Sequence, residues 1–394
     1  MNTGAHFPPE KALPGRRNVI ALGLVSMFND MASEMAYPII PLFLTLTLGA
    51  PPAVVGVIEG VAEATANFLK LISGWLSDRV RNRKRFVAVG YLLSAVAKVG
   101  LALSASWVHV LGARFADRFG KGVRTSARDA LIAESTLPGE RGSAFGLHRA
   151  LDTAGAVIGP LTALALLGLF GGDFRLVFFV AAVPACVGVA LLMFLVREPA
   201  HGIHPASFRF SLSPARYGRR FKMFLIASAL FAVGNSSDAF LLLRAQSVGF
   251  SVNATILLYV AFNIVYSLLS FPMGRLADRF GKMPVLLGSF VLFTAVYGGL
   301  GIASGPTLVG LLFPVYGLYM AMSEGIGKAY IVDCVPSSEK ASALGLFATL
   351  TGVGTLVASP LAGYLWSAIA PAAPFYLGAV CAAGAGILLF VTRR

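Results

Sequence analysis

GWLSDR, residues 74–79, returns as GRLADR at residues 274–279, an offset of 200. A second set repeats at almost the same spacing. Glu134, Glu140, Arg141, Ser143, Ala144 and Gly146 reappear as Asp333, Glu339, Lys340, Ser342, Ala343 and Gly345, an offset of 199. Asn29 is echoed by Asn235. Matches at one spacing, each at the same relative edge of an apolar segment, mark an internal duplication. The chain therefore reads as two related halves.

Composition identifies the solvent of those halves. Of 394 residues, 57% are hydrophobic and 13% charged, with mean hydropathy +0.77. A soluble domain carries about 25% charged residues, so most of this surface faces lipid. A net charge of +14 would suit nucleic acid, but the basic residues cluster in short loops between apolar segments, which excludes a nucleic-acid partner and fits a membrane. A bilayer-spanning helix needs about 20 residues. Segmentation at Pro, Gly and charge clusters predicts helices over 18–48, 53–77, 86–105, 107–131, 141–170, 174–195, 221–246, 252–277, 283–303, 306–332, 339–368 and 373–392.

The connections fix the topology. Even-numbered joins carry Arg79, Arg81, Arg83, Lys84 and Arg85, then Arg141, the run from Arg197 to Lys222, Arg279 with Lys282, and Lys340. The odd-numbered joins (49–52, 104–107, 171–173, 247–251, 304–305, 369–372) contain no Lys or Arg. By the positive-inside rule both termini are cytoplasmic, in a multi-pass protein of the inner (cytoplasmic) membrane. Residues 1–17 form a cytoplasmic tail; the apolar stretch after them is interrupted by Asn29, Asp30 and Glu34, unlike a secretory signal. Bundles over 18–195 and 221–394 flank a basic linker, 196–220. The expected fold is all-α, twelve transmembrane helices in two six-helix bundles. Six is even, so the halves share one orientation and a pseudo-two-fold axis runs along the membrane normal, with a substrate site between them near the midplane.

On the GxLxDR elements and the 6+6 layout, the chain resembles the major facilitator superfamily over residues 18–392. The family pattern places Gly three residues after the Asp; Gly281 keeps it in the second copy, whereas Arg81 replaces it in the first. The resemblance implies transport by alternating access, with Gly74, Asp78, Arg79, Gly274, Asp278 and Arg279 as a conformational latch. Gly permits close helix approach, and Asp meets the positive N-terminus of a helix in the opposite half, in this family the eleventh helix for the first copy and the fifth for the second. Gly155 and Gly159-Pro160 in the fifth segment are similar to the GxxxGP motif of family antiporters, which leans toward efflux.

Charge lies where lipid would penalise it. WVHVLGARFADRFGKGVRTSARDAL, residues 107–131, steps Arg114, Arg118, Lys121, Thr125, Arg128 along one helical face. An intramembrane cation faces a partner or water, which points to a polar pathway through the bundle. Asp30, Glu34 and Tyr37 share one face of the first segment at similar depth, so a carboxylate–guanidinium cluster inside the first half is expected. Glu59, Glu63, Asn67 and Lys70 share a face of the second. In the second half Arg244 and Tyr266 are further polar candidates beside Asn235, Asp238, Tyr259, Asn263, Tyr316, Tyr319 and Glu324, with Tyr259 and Asn263 at the repeat positions of Glu59 and Glu63.

Substrate contacts are therefore expected from Asp30, Glu34, Tyr37, Arg114, Arg118, Lys121 and those second-half residues other than Arg244 and Tyr266. Asp30, Glu34, Glu59 and Glu63 are the expected proton carriers, because a carboxylate placed between a cation and a proton couples the two. The residues point to a secondary active, proton-coupled carrier of a small anionic or zwitterionic solute, working as a monomer in the bilayer. An iron, metal-chelate or siderophore carrier, or a lipid flippase, are the alternatives. No CxxC or HExxH spacing, P-loop or nucleophile–base set occurs, so neither enzyme, metal site nor cofactor is expected.

Overall fold

The computed structural model describes residues 15–77, 83–136, 141–198, 217–336 and 339–392. Twelve long helical units follow one another: α1 (Gly15–Thr47), α2 (Pro52–Ser77), α3 (Arg83–Ala102), α4 (Trp107–Glu134), α5 (Arg141–Leu169), α6 (Phe174–Leu195), α7 (Arg219–Ser247), α8 (Val252–Phe280), α9 (Lys282–Ile302), α10 (Pro306–Asp333), α11 (Lys340–Ala368) and α12 (Ala373–Thr392). Every end falls within about three residues of the expected segment, and no strand occurs among the described residues. Ten of these units are long and apolar enough to cross a membrane. The two that fall short are α2 and α4, the helices that carry Glu59, Glu63 and Lys70 and the cation row.

Both halves break their first helix at corresponding places. α1 turns at residues 37–39, where Pro38 removes a backbone donor, and resumes as Ile40–Leu42 and a π turn, Phe43–Thr47. α7 breaks between Gly234 and Ala239. Irregular backbone at membrane depth is tolerated when neighbours satisfy its polar groups. Here the Ser237 N–H donates to Ser359 Oγ at 3.1 Å, from α11.

The apolar cores show how the halves sit together. One cluster, from Met35 and Phe43 through Tyr259, Phe293 and Phe375, takes residues from both halves. It lies away from the face where α1 begins and α12 ends. Nearer that face the core splits: Val19, Leu22, Tyr91 and Leu131 pack within the first half, and Phe221, Leu286, Ile331 and Leu389 within the second. The two bundles are thus fused at one end and separate at the other.

Backbone contact seals the fused end. A Cβ on Gly56 of α2 would lie 2.2 Å from Ser359 O of α11, and one on Gly363 would lie 2.5 Å from Pro52 O. Within the first half, Gly155 and Gly159 of α5 face Met27 O and Met31 O of α1, at 2.3 and 2.5 Å from the same imaginary atoms. Small residues let these backbones approach so closely. At the other face Glu198 accepts from the backbone N–H groups of Arg83 and Lys84, at 2.9 and 2.8 Å, and so caps α3.

The latch, expected when the bundles close at this face, is not engaged at its second copy in the described conformation. Gly274 makes no close helix contact: a Cβ there would meet nothing within 4 Å. Arg279 lies over the Phe280 ring at 5.3 Å. With the bundles apart at this face, the second element has no opposing helix to meet. Gly74 lies near the end of α2, while Asp78 and Arg79 fall outside the described residues.

The seal predicts the effect of one methyl-bearing side chain. Gly56→Val forces α2 and α11 apart. Spin labels at Thr47→Cys and Ala368→Cys, with Cys186, Cys334 and Cys381 replaced, should report a longer distance than in the Gly56 protein. An unchanged distance would remove this contact from the seal.

Candidate functional site

The charged residues of α2, α3 and α4 form a closed knot on one side of the interface between halves. Arg114 donates to both Glu59 oxygens, at 3.0 and 2.7 Å, and the two residues are 2% and 1% exposed. This bidentate fork is the strong form of the interaction. Ser237 adds a long bond to the same carboxylate at 3.4 Å. Lys98 of α3 reaches Asp117 at 2.6 Å and Ser33 at 3.1 Å. Arg124 donates to Ser94 at 2.6 Å and covers the Tyr91 ring at 4.5 Å.

These pairings change two expectations. Arg114 is not a cavity residue: it lies behind the wall, committed to Glu59, so it is withdrawn as a substrate contact. Glu59 is withdrawn as a proton carrier for the same reason, since its carboxylate is sealed by a guanidinium and a hydroxyl. The acids nearest Arg114 and Arg118 also come from α2, not from Asp30 and Glu34; Glu63 takes Arg118 at 3.0 Å, while Arg128 pairs with Asp129 of its own helix. Two acids one turn apart on α2 run beside two arginines four residues apart on α4, so the rows match in pitch.

Next to the knot, at the end of the open space between bundles, lies a pocket of about 300 Å³ lined by Glu34, Tyr37, Glu63, Arg118, Lys121, Asn235, Asp238, Tyr259 and Tyr316, among others. It gathers residues of both halves. Tyr259 donates to Glu34 at 2.6 Å, and Tyr316 donates to Asp238 at 2.7 Å. Tyr37 meets Ser237 at 3.3 Å and the Tyr259 ring at 5.7 Å between centroids. Arg114 and Arg118 lie 5.5 and 5.9 Å from the centroid of Tyr37. The duplication is visible in these bonds: α1 reaches α8 through Glu34–Tyr259, and α7 reaches α2 through Ser237–Glu59, with Glu59 and Tyr259 at matching repeat positions.

The pocket opens into a two-lobed chamber toward the separated face. One lobe, about 990 Å³, is polar and includes Asp30, Glu34, Lys121, Arg124, Arg128, Arg149, Asp152, Asn263 and Glu324. The other, about 870 Å³, has Glu63 and Lys70 on one wall and Phe224, Phe231, Phe290, Tyr319 and Phe347 on the opposite wall. Lys70, Lys121, Thr125, Asp129, Glu324 and Lys328 border both lobes. Of the cation row on α4, Arg118, Lys121, Thr125 and Arg128 reach open space and Arg114 does not. Asp30 faces the chamber with no hydrogen bond or ion pair among the described residues.

Several residues of the knot and of the chamber were not singled out from the sequence. Lys98 announces itself as a lone cation inside an apolar segment. Arg149 and Asp152, 3.6 Å apart, form an i,i+3 pair on α5, and Arg149 crosses to Tyr266 of α8 at 3.5 Å. Tyr266 in turn bonds Glu324. Apart from Tyr319, the aromatic wall of the second half carries no polar signal, which is why pattern reading passes over Phe224, Phe231, Phe290 and Phe347.

Comparison with known proteins follows from this arrangement. The family model of the Major Facilitator Superfamily matches residues 22–243 and again 223–394. The chain belongs to the Major Facilitator Superfamily. It is 37% identical, over 95% of its length and 94% of the relative's, to an uncharacterised MFS-type transporter of Methanocaldococcus jannaschii. It is 31% identical to an uncharacterised protein of Mycobacterium tuberculosis, over 90% and 88% of the two chains. A crystal structure of the nucleoside transporter NupG superposes with a TM-score of 0.75 at 16% identity, over 95% of this chain and 98% of that one. This superfamily member is a multi-pass membrane transporter of a small molecule, not an enzyme.

The Glu59–Arg114 pair predicts an asymmetric stability result. Removing one member of a buried ion pair leaves an uncompensated charge, a loss of about 3–5 kcal/mol. Arg114→Met should lower the melting temperature of the purified protein sharply, and the double variant Glu59→Gln/Arg114→Met should recover most of the loss. Equal melting of the single and double variants would show that the pair does not hold the knot.

Proposed function

We propose that this superfamily member is a secondary active transporter that moves a small anionic or zwitterionic solute by alternating access, driven by protons and working as a monomer. The face carrying Arg83, Arg219, Lys282 and Lys340 is the cytoplasmic one, so both termini lie inside the cell membrane and the described conformation is inward-facing. The observation that carries this reading is the chamber itself. At its closed end Arg118 keeps a buried N–H without an acceptor, beside Lys121 and within the lining that includes Glu34 and Asp238.

Proton coupling has a concrete form here. The bond from Tyr259 to Glu34 ties the halves together on the fused side. A hydrogen bond to an ionised carboxylate is roughly twice as strong as a neutral one. A proton on Glu34, or a cationic group beside it, weakens that tie and frees the fused side to open. Asp30, one turn earlier and facing the chamber, is the neighbouring acid through which a proton enters or leaves. Glu63 stays tied to Arg118 until a substrate group competes for the guanidinium. Since proton and solute act on the same bonds, they occupy the chamber by turns, as exchange requires. Export is the direction we favour, because Gly155 and Gly159-Pro160 match the motif that resembles family antiporters.

Proteoliposome flux tests the reading. With a solute found by thermal-shift screening, an imposed pH gradient should drive uptake into inside-out vesicles. Asp30→Asn and Glu34→Gln should each abolish gradient-driven accumulation and leave solute–solute exchange running. Full accumulation by both variants would exclude these acids as carriers of the proton.

A further inference from the structure

The closed end of the chamber holds one ion pair, Glu63 with Arg118, and leaves Lys121 and Asp238 without partners of opposite charge among the described residues, although the same protein pairs such groups readily elsewhere. Glu59 with Arg114, and Lys98 with Asp117, are neutralised within 2.7 Å. Around the 300 Å³ pocket the pattern differs. Arg118 is 6% exposed and forms an ion pair with Glu63 at 3.0 Å, yet its Nε–H meets no acceptor. Lys121, one turn on, forms no ion pair among the described residues. Across the pocket, at the break in α7, the Asp238 carboxylate accepts a single bond, from Tyr316. No Lys or Arg among the described residues lies within ion-pair distance of it.

Unneutralised charge of both signs around one small space is costly in a low-dielectric interior unless water or a ligand supplies the complement. We infer that the solute is a zwitterion that spans the pocket, its acidic group on Arg118 and Lys121 and its ammonium group on Asp238. This rests on the reading of the chain as a transporter of a charged solute. A carboxylate or phosphate gains the Lys121 charge and competes with Glu63 for the Arg118 guanidinium. The ammonium group at Asp238 also meets the rings of Tyr259 and Tyr316, which attract cations through their faces. A plain anion would leave Asp238 bare and add repulsion, and a plain cation would leave Lys121 uncompensated. The acidic group binds the first half and the amino group the second, so one bound molecule draws the two bundles together.

Matched triplets of amino acids test the inference: each as the free form, the N-acetyl acid and the C-terminal amide, measured by thermal shift and calorimetry on the purified full-length protein. Free forms should bind, with either blocked form weaker by about tenfold or more, the worth of one charge-assisted hydrogen bond. Asp238→Asn should weaken a binding free form about tenfold; if that variant does not fold, the panel on the unaltered protein decides alone. An N-acetyl acid or amide that binds as tightly as its free form overturns the inference, and so does a panel in which no member binds. Flux separates the two proposals. An N-acetyl acid accumulated by the pH gradient sinks the zwitterion and keeps the transporter, whereas a free form that binds but is not moved by the gradient does the reverse.

Discussion

Arg114 and Glu59 meet as a fork inside a bilayer-spanning bundle, and much of the structure depends on that pairing. A lone ion at this depth is expensive, so the cations of α4 require acids at the same height. α2 supplies them at matching pitch, and α3 contributes Lys98 to neutralise Asp117. The three helices are thereby locked into one rigid wall. A rigid wall is what lets the remaining groups (Arg118, Lys121, Asp30) face open space at fixed positions without collapsing onto one another.

The second half answers with a different chemistry. Its wall is aromatic, with Phe231, Phe290, Phe293 and Tyr319 in edge or tilted contact, and its charge at the pocket is confined to Asp238. Duplication supplied the same scaffold twice, yet where the first half has Glu59 and Glu63 the second has Tyr259 and Asn263. The result is a chamber that is ionic on one flank and aromatic on the other. Its two closing bonds still obey the ancestral symmetry: α1 to α8, and α7 to α2.

The architecture was legible in the sequence because its causes are periodic and local. Hydrophobic length, charged loops between apolar segments and a repeated six-residue element decide helix number and the two-fold relation. The site was legible by type but not by pairing. Arg114 and Arg118 are four residues apart on one helix face, and nothing local distinguishes the one that points into Glu59 from the one that keeps a free N–H. That choice is made by where α2 lies, a tertiary fact. The same holds for Gly274, where an added Cβ would meet no neighbouring atom within 4 Å, and for Phe224, Phe231, Phe290 and Phe347 of the aromatic wall, which look in sequence like any lipid-facing residues.

The central claim is that ionisable groups of α1, α4 and α5 face a hydrated chamber open on one side only. Single cysteines at Thr153, Ser267 and Ser126, introduced after replacing the three native ones, measure this through their reaction with a charged, membrane-impermeant thiol reagent. In sealed vesicles of known orientation, all three should react rapidly from the cytoplasmic side and slowly from the outside. Positions that resist the reagent from both sides, or react first from the outside, would contradict the account.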